Sequence, residues 1–273
     1  MLLQDKLSRL KRIILAYKSA VVAFSGGQDS AFLLKVCTLL LPPDKIMAVT
    51  AVSAAYPKGE LFKAKILAKQ IGSRLKIIRT AELDNKKFTD NSVRRCYFCK
   101  QELFSKLVAI ARQNKLRFVL EGGSLSDKAD YRPGDIAKRE LKIKSPLLEA
   151  GFNKEDIRRL SKKFCLSSWN KPSLACLASR VPYGIKITPS LLKRIEQAEG
   201  YLISLGFKRV RLRHHGNICR IEVDKNDILR LFSRRQRIVE GLKNLGYNYV
   251  ALDLEGYRTG SLNEVIPHFH RYK

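Results

Sequence analysis

The chain has 273 residues, 45% of them hydrophobic, and 53 Lys+Arg against 25 Asp+Glu give it a formal net charge of +28. That apolar fraction supports a packed core and excludes wholesale disorder, and no segment approaches the ~20 consecutive apolar residues of a membrane span. The charge excess favours phosphorylated ligands and weak, non-specific binding of nucleic acid, but it is spread along the chain and equally describes a solvated Lys/Arg-rich surface.

Charges interrupt every apolar run in the opening MLLQDKLSRLKRIILAYK, which is not the layout of a signal peptide. Leu3, Leu7, Leu10, Ile13 and Ile14 instead fall on one helical face, so an amphipathic helix and a cytoplasmic location are expected. The following AVVAFSGGQDSAFLLKV reads as strand, tight turn and helix. Residues 20–24 form an apolar run suited to a buried parallel strand. Gly26 and Gly27 let the backbone approach an anion, and Asp29 and Ser30 open a helix carrying Phe32, Leu33, Leu34, Val36 and Leu39. Backbone N–H groups there, with the positive end of a helix dipole, form a phosphate cradle. The string is neither GxxxxGK[ST] nor GxGxxG. Residues 46–52 read as a second strand, 60–71 as a helix, 75–80 as a third strand, 98–113 as a helix and 118–120 as a strand. This alternation predicts an α/β fold with a doubly wound parallel sheet and ligands at the carboxyl ends of its strands. Ser53 and Gly122 fall at such ends, as the turn after Phe24 does.

Of the six cysteines, Cys37 and Cys219 lie in helix-like and strand-like apolar patterns and read as buried small hydrophobes; Cys165 is read the same way. Cys96 and Cys99, in RCYFCK, could be a disulfide, a redox couple, half of a zinc site or part of an iron–sulfur site. A reducing cytoplasm disfavours the disulfide, and His214, His215, His268 and His270 all lie far along the chain. In SLSDKADYRPG, Asp127, Asp130 and Arg132 are either a polar turn or a carboxylate and arginine for magnesium and phosphate. Residues 169–188 (WNKPSLACLASRVPYGIKIT) form a long loop with Cys176, Ser179 and Arg180.

Beyond it, Thr188 caps a helix that begins with Pro189 and ends at Gly206. RVRLRHH and NICRIEV follow as strands, residues 224–246 as one helix and 247–257 as a last strand. Two domains are expected: 1–187 for the nucleotide and the cysteine site, and a smaller α/β domain, 188–273, for substrate phosphate or oligomerisation. Arg211 and Arg213 alternate onto one strand face, as a phosphate clamp or as a solvated surface; Arg258 is a weaker candidate.

SGGQDS matches the PP-loop signature SGGxDS, and here the sequence resembles the N-type ATP pyrophosphatases, with their adenine nucleotide alpha-hydrolase-like fold. The resemblance implies that ATP is split between its α and β phosphates and that Ser25, Gly26, Gly27, Asp29 and Ser30 hold the pyrophosphate portion. RCYFCK, DYRPG, NKPSLACLASRVPYG and the late GYRTGSLN, in that order along nearly the whole chain, resemble the LarE-type sulfur transferases. This implies ATP and Mg2+, adenylation of a carboxylate of pyridinium-3,5-biscarboxylic acid mononucleotide, and its conversion to a thiocarboxylate in making the nickel-pincer nucleotide cofactor. In one branch of the family a lone loop cysteine, here Cys176, surrenders its own sulfur. In the other that cysteine joins a CxxC to hold a [4Fe-4S] cluster whose fourth iron can carry an extra sulfide. RCYFCK places this chain in the cluster branch, with Cys96, Cys99 and Cys176 as ligands. The substrate implied is a small nucleotide-like dicarboxylate, with a separate sulfide source; Asp130, Arg132, Ser179, Arg180, Arg211 and Arg213 are the expected substrate or phosphate contacts, and a homo-oligomer is expected. The competing reading is a tRNA thiolation enzyme, which also combines a PP-loop with a three-cysteine cluster. A basic nucleotide-binding scaffold would leave the three-cysteine pattern accidental.

Overall fold

The computed structural model describes residues 2–127, 132–172, 175–258 and 260–266. Its elements run α1 (Leu3–Tyr17), β1 (Ala20–Ala23), α2 (Gln28–Leu40), β2 (Ile46–Val52), α3 (Lys58–Ile71), β3 (Leu75–Arg79), α4 (Lys86–Thr89) and α5 (Arg95–Gln113). There follow β4 (Phe118–Leu120), α6 (Gly134–Glu140), α7 (Pro146–Glu149), α8 (Lys154–Lys163) and α9 (Pro189–Ser204). The chain closes with β5 (Val210–His215), β6 (Ile218–Val223), α10 (Ile228–Ser233), α11 (Arg235–Asn244) and β7 (Tyr249–Leu252). They divide into two compact units, one of Met1–Ser53, Lys58–Glu82 and Cys96–Leu174, the other of Ala54–Pro57, Leu83–Arg95 and Ala175–Lys273.

The first unit is built on a parallel sheet of order β3-β2-β1-β4. Alternate residues of the central strands feed opposite faces, as the period of two requires. Ala20, Val22 and Ala48 join a core with Leu10 and Ile14 of α1, Phe32 and Leu33 of α2 and Ile157 of α8. Val21, Val49 and Val119 join a second core with Phe104, Leu107 and Ile110 of α5. Because both faces are covered, β1 is apolar throughout, and Ala20, Val21 and Val22 are fully buried. The doubly wound architecture is thus the one expected.

The second unit carries a sheet of order β5-β6-β7, antiparallel between β5 and β6 and parallel between β6 and β7. Thr188 caps α9 by accepting from the backbone N–H of Leu191, and Gly206 ends it at φ +92. The single helix expected over 224–246 is instead two: Arg234, at φ −102 and ψ 12, separates α10 from α11. Its guanidinium donates to the carbonyl of Leu205, so a tertiary bond accompanies the break.

Cys37 and Cys219 are buried as expected, but Cys165 is exposed. It takes φ +52 just past the end of α8, while its own N–H and that of Leu166 bond to the carbonyls of Lys162 and Ser161. This is a Schellman ending, whose left-handed residue stands at the surface. Position within the cap, not apolar pattern, decides this side chain's exposure.

Candidate active site

The turn after β1 follows from a chain that leaves a sheet and enters a helix with two glycines between. The N–H of Phe24 still bonds to Val49 and its carbonyl accepts from the Thr50 hydroxyl, so the strand is pinned to its last residue. Gly26 then adopts φ +69, and a Cβ there would stand 2.9 Å from the Cβ of Ala64 on α3. Glycine is required twice over, by dihedral and by space. Gly27 is the N-cap of α2 without a side-chain cap, while Ser25 and Ser30 meet hydroxyl to hydroxyl at 3.1 Å across the turn. At the end of β4, a Cβ on Gly122 would lie 2.9 Å from the backbone N of Ser30, so glycine brings this strand end against the first turn of α2. The turn, Ser30 and Gly122 therefore converge at the carboxyl edge of the sheet.

Asp29 is the electrostatic feature of this edge. Burial raises its pKa to about 6; Lys154 opposes the shift, and Asp127 and Glu121 add to it. Its Oδ1 is buried and has no hydrogen-bond partner among the described residues. Burial also works against the charge of Asp127, but the Arg132 guanidinium at 2.7 Å, the N–H and hydroxyl of Ser124, and Lys154 hold its carboxyl below the usual range. Arg132 is thus placed at the sheet edge through Asp127, whereas Asp130 lies outside the described residues. Ser53, just past β2, donates to Glu82, itself almost wholly buried.

Sequence reasoning missed three supports of the turn. Lys171 donates to the carbonyl of Gly26 at 2.9 Å and pairs with Glu60 at 2.6 Å, and Gln28 donates to the carbonyl of Trp169. Lys171 stood inside a quoted string, NKPSLAC, but nothing local shows that its side chain reaches back over 145 residues.

Cys96 and Cys99 sit near the start of α5, three residues apart and on neighbouring positions of the helix surface. Cys96 is exposed and Cys99 half-buried. Gly134, which opens α6, packs against Lys100 and the carbonyl of Cys96, and Tyr97 donates to Glu140, so the segment after DYRPG buttresses the CxxC turn.

In the second unit, Cys176 is exposed and immediately precedes a short 3-10 turn, Leu177–Arg180. Arg180 is buried: its fork clasps Glu199 at 2.9 Å on both sides while its third nitrogen donates to the carbonyls of Ala175 and Cys176 and to the Ser179 hydroxyl. Arg213 is equally engaged, forked on the fully buried Glu222 and donating to the Ser179 carbonyl and the Ser261 hydroxyl. Arg211, half-buried, lies over the ring of Tyr257 at 5.4 Å. Burial, then the charge of Arg180, lowers its pKa, with Glu199 opposing. Arg258 pairs with Asp253, Glu255 and Glu264. Among the described residues, no group of three or more His, Cys, Asp or Glu side chains is disposed to hold a metal ion, and no helix is long and apolar enough to cross a membrane.

The parallel sheet with its glycine turn and carboxyl-edge site defines a PP-loop nucleotide-binding protein. A family model described as NAD synthase matches residues 6–113. An uncharacterised protein of Synechocystis sp. is 38% identical over 97% of this chain and 99% of its own. A protein of Lactiplantibacillus plantarum named pyridinium-3,5-bisthiocarboxylic acid mononucleotide synthase is 37% identical over 90% of this chain and 89% of its own. An uncharacterised protein of Methanocaldococcus jannaschii is 28% identical over 89% and 92%. The chain belongs to the LarE-type ATP-dependent sulfur transferases of the PP-loop superfamily.

Proposed function

We propose that this protein uses ATP to adenylate a carboxylate of pyridinium-3,5-biscarboxylic acid mononucleotide and converts it to a thiocarboxylate on the way to a nickel-pincer nucleotide. The observation that carries this reading is RCYFCK on α5 in a chain 37% identical to the L. plantarum synthase. A carboxylate is a poor acyl donor, and adenylation gives it a leaving group. The substrate oxygen attacks the α-phosphorus, the bond to the β-phosphate breaks, and pyrophosphate departs. A sulfur nucleophile then adds at the acyl carbon, and AMP leaves with the electron pair of the C–O bond.

Ser25, Gly26, Gly27 and Ser30 would hold the departing pyrophosphate at the start of α2. The Oδ1 of Asp29, without a partner among the described residues, suits a Mg2+ ion on those phosphates, a hard cation that takes oxygen ligands and neutralises developing charge. Ser53 and Gly122, at neighbouring strand ends, would border the adenosine. Arg211 is the candidate for the substrate phosphate, with Ser179, Arg132 and Asp130 as further contacts. Arg180 and Arg213, forked on carboxylates, would hold Ser179 and the Cys176 loop in place.

Cys96 and Cys99 give two thiols one helical turn apart and Cys176 an exposed third, a soft donor set without histidine that suits iron–sulfur better than four-ligand zinc. A [4Fe-4S] cluster on these three thiolates would supply an iron without a protein ligand, able to take up an extra sulfide.

Anaerobic protein supplied with ATP, Mg2+, sulfide and the dicarboxylate should yield thiocarboxylate by mass spectrometry, with pyrophosphate in equal amount. The formal charge of +28 favours one rival, thiolation of tRNA. Pyrophosphate release that depends on tRNA rather than on the dicarboxylate, with binding that survives moderate salt, would replace the reading.

A further inference from the structure

Within the turn after β1, the peptide joining Gly26 to Gly27 has a glycine on each side, and neither has a Cβ to oppose its rotation. The bond is trans, so its carbonyl and its N–H point in opposite directions. As it stands, the N–H of Gly27 faces the hydroxyl of Ser25 at 3.3 Å, on the side of the turn where Ser25 meets Ser30. Turned over, the same peptide would offer its carbonyl oxygen there, and a phosphate would meet negative partial charge in place of a donor.

Lys171 takes hold of that carbonyl. Its ammonium donates to the Gly26 oxygen at 2.9 Å and lies 2.6 Å from the carboxylate of Glu60, in the first turn of α3. The segment that carries it is anchored within the same unit. The Trp169 ring lies against Arg158 and Lys162 of α8, Arg158 donates to the Asn170 side chain, and Gln28 of α2 donates to the Trp169 carbonyl. These contacts fasten the segment without Lys171, and a lone ion pair near the surface contributes little to stability. What the lysine adds is a charged donor on one carbonyl, that of the peptide most easily turned.

We infer that Lys171 is a latch on this peptide: it holds the Gly26 carbonyl away from the phosphate side and so keeps the Gly27 N–H facing an anion. Lys171 is thus a positioning residue for the pyrophosphate end of ATP, an inference that rests on the phosphate reading of the turn given above. In Lys171→Met the stem remains and the donor is gone. Only molecules still in the accepting orientation then bind, and apparent affinity falls by that fraction. Calorimetry on the full chain should show pyrophosphate and ATP weakened about 10–100-fold, the worth of a charged hydrogen bond, with adenosine affinity and the far-UV spectrum unchanged. Loss of a positive charge also weakens anion binding without any rotation, and a second substitution separates the two causes. Gly27 has φ −80, which alanine accepts, whereas turning the peptide over drives that angle positive. In a Gly27→Ala background the loss on Lys171→Met should therefore shrink to within about 2-fold, the scatter of such cycles. If Gly27→Ala alone abolishes pyrophosphate binding, relaxation dispersion at the Gly27 amide of Lys171→Met carries the test. Exchange there that the parent lacks supports the latch, and its absence overturns it. Undiminished pyrophosphate affinity in Lys171→Met, or an equal loss in both backgrounds, overturns the latch and leaves the phosphate reading standing. A parent that binds adenosine as tightly as ATP and takes no pyrophosphate overturns that reading and the inference with it.

Discussion

The glycine turn of the first unit and the cysteine loop of the second are both irregular backbone, and they are held in opposite ways. Around the turn, Lys171 holds the Gly26 carbonyl and Ser25 meets Ser30, but Gly27 has no side-chain cap and Asp29 keeps a buried oxygen without a partner among the described residues. Along the loop, the carbonyls of Ala175, Cys176, Ser179, Val181, Pro182 and Ile185 are all taken by side chains of Asn91, Arg95, Arg180 and Arg213. The first pattern belongs to a receptor whose hydrogen bonding a ligand completes. The second belongs to a mount that presents one side chain, here the exposed thiol of Cys176. Phosphate contacts can be supplied by backbone alone, whereas a side chain held in one orientation needs its backbone fixed.

The sharpest break of the mount is Arg213→Ala, which leaves Glu222 fully buried with only Arg220 and Ser261. We expect about 3–5 kcal/mol of destabilisation, the usual result of removing one partner of a buried pair, read from denaturant unfolding. Loss below about 1 kcal/mol would mean that the network is dispensable. Arg211→Ala should do the reverse, sparing stability while raising KM for the phosphorylated substrate about 10–100-fold, the worth of charged hydrogen bonds. Equal damage to stability from both arginines would erase the distinction between mount and ligand contact.

A smaller effect concerns the receptor. Asp29 has a folded pKa of about 6 against 3.8 in model compounds, so the native state binds its proton more tightly than the unfolded chain does. Stability falls as pH rises through that window, and the cost persists above it. Asp29→Asn removes the cost: its melting temperature should match wild type near about pH 4 and exceed it near about pH 7, without Mg2+ or nucleotide. Constant difference across that range would show that Asp29 is not desolvated.

Much of the first unit was legible because its signals are local. SGGQDS sits where an apolar strand meets a helix, and β2 and β4 begin and end where the apolar pattern places them. Cys165 misled because its exposure depends on cap geometry two residues past the end of α8, although Phe164 and Leu166 flank it. Arg211 and Arg213 looked equivalent, two residues apart on one strand face. Strand register does not separate them either, since Glu222 stands directly across from Arg211; its carboxylate takes the Arg213 fork on the diagonal and leaves Arg211 over Tyr257. Asn91 gave no signal at all, since the carbonyls it serves lie 90 or more residues away.

The central claim is that three cysteines from α5 and the loop act together, and metal analysis reaches it most directly. Iron, acid-labile sulfide and the visible spectrum would be measured on anaerobically reconstituted protein and on Cys96→Ala, Cys99→Ala and Cys176→Ala. The account predicts about four iron and four sulfide per chain in the parent and their loss in each variant. Iron absent from the parent, or retained when Cys176 is replaced, would contradict it.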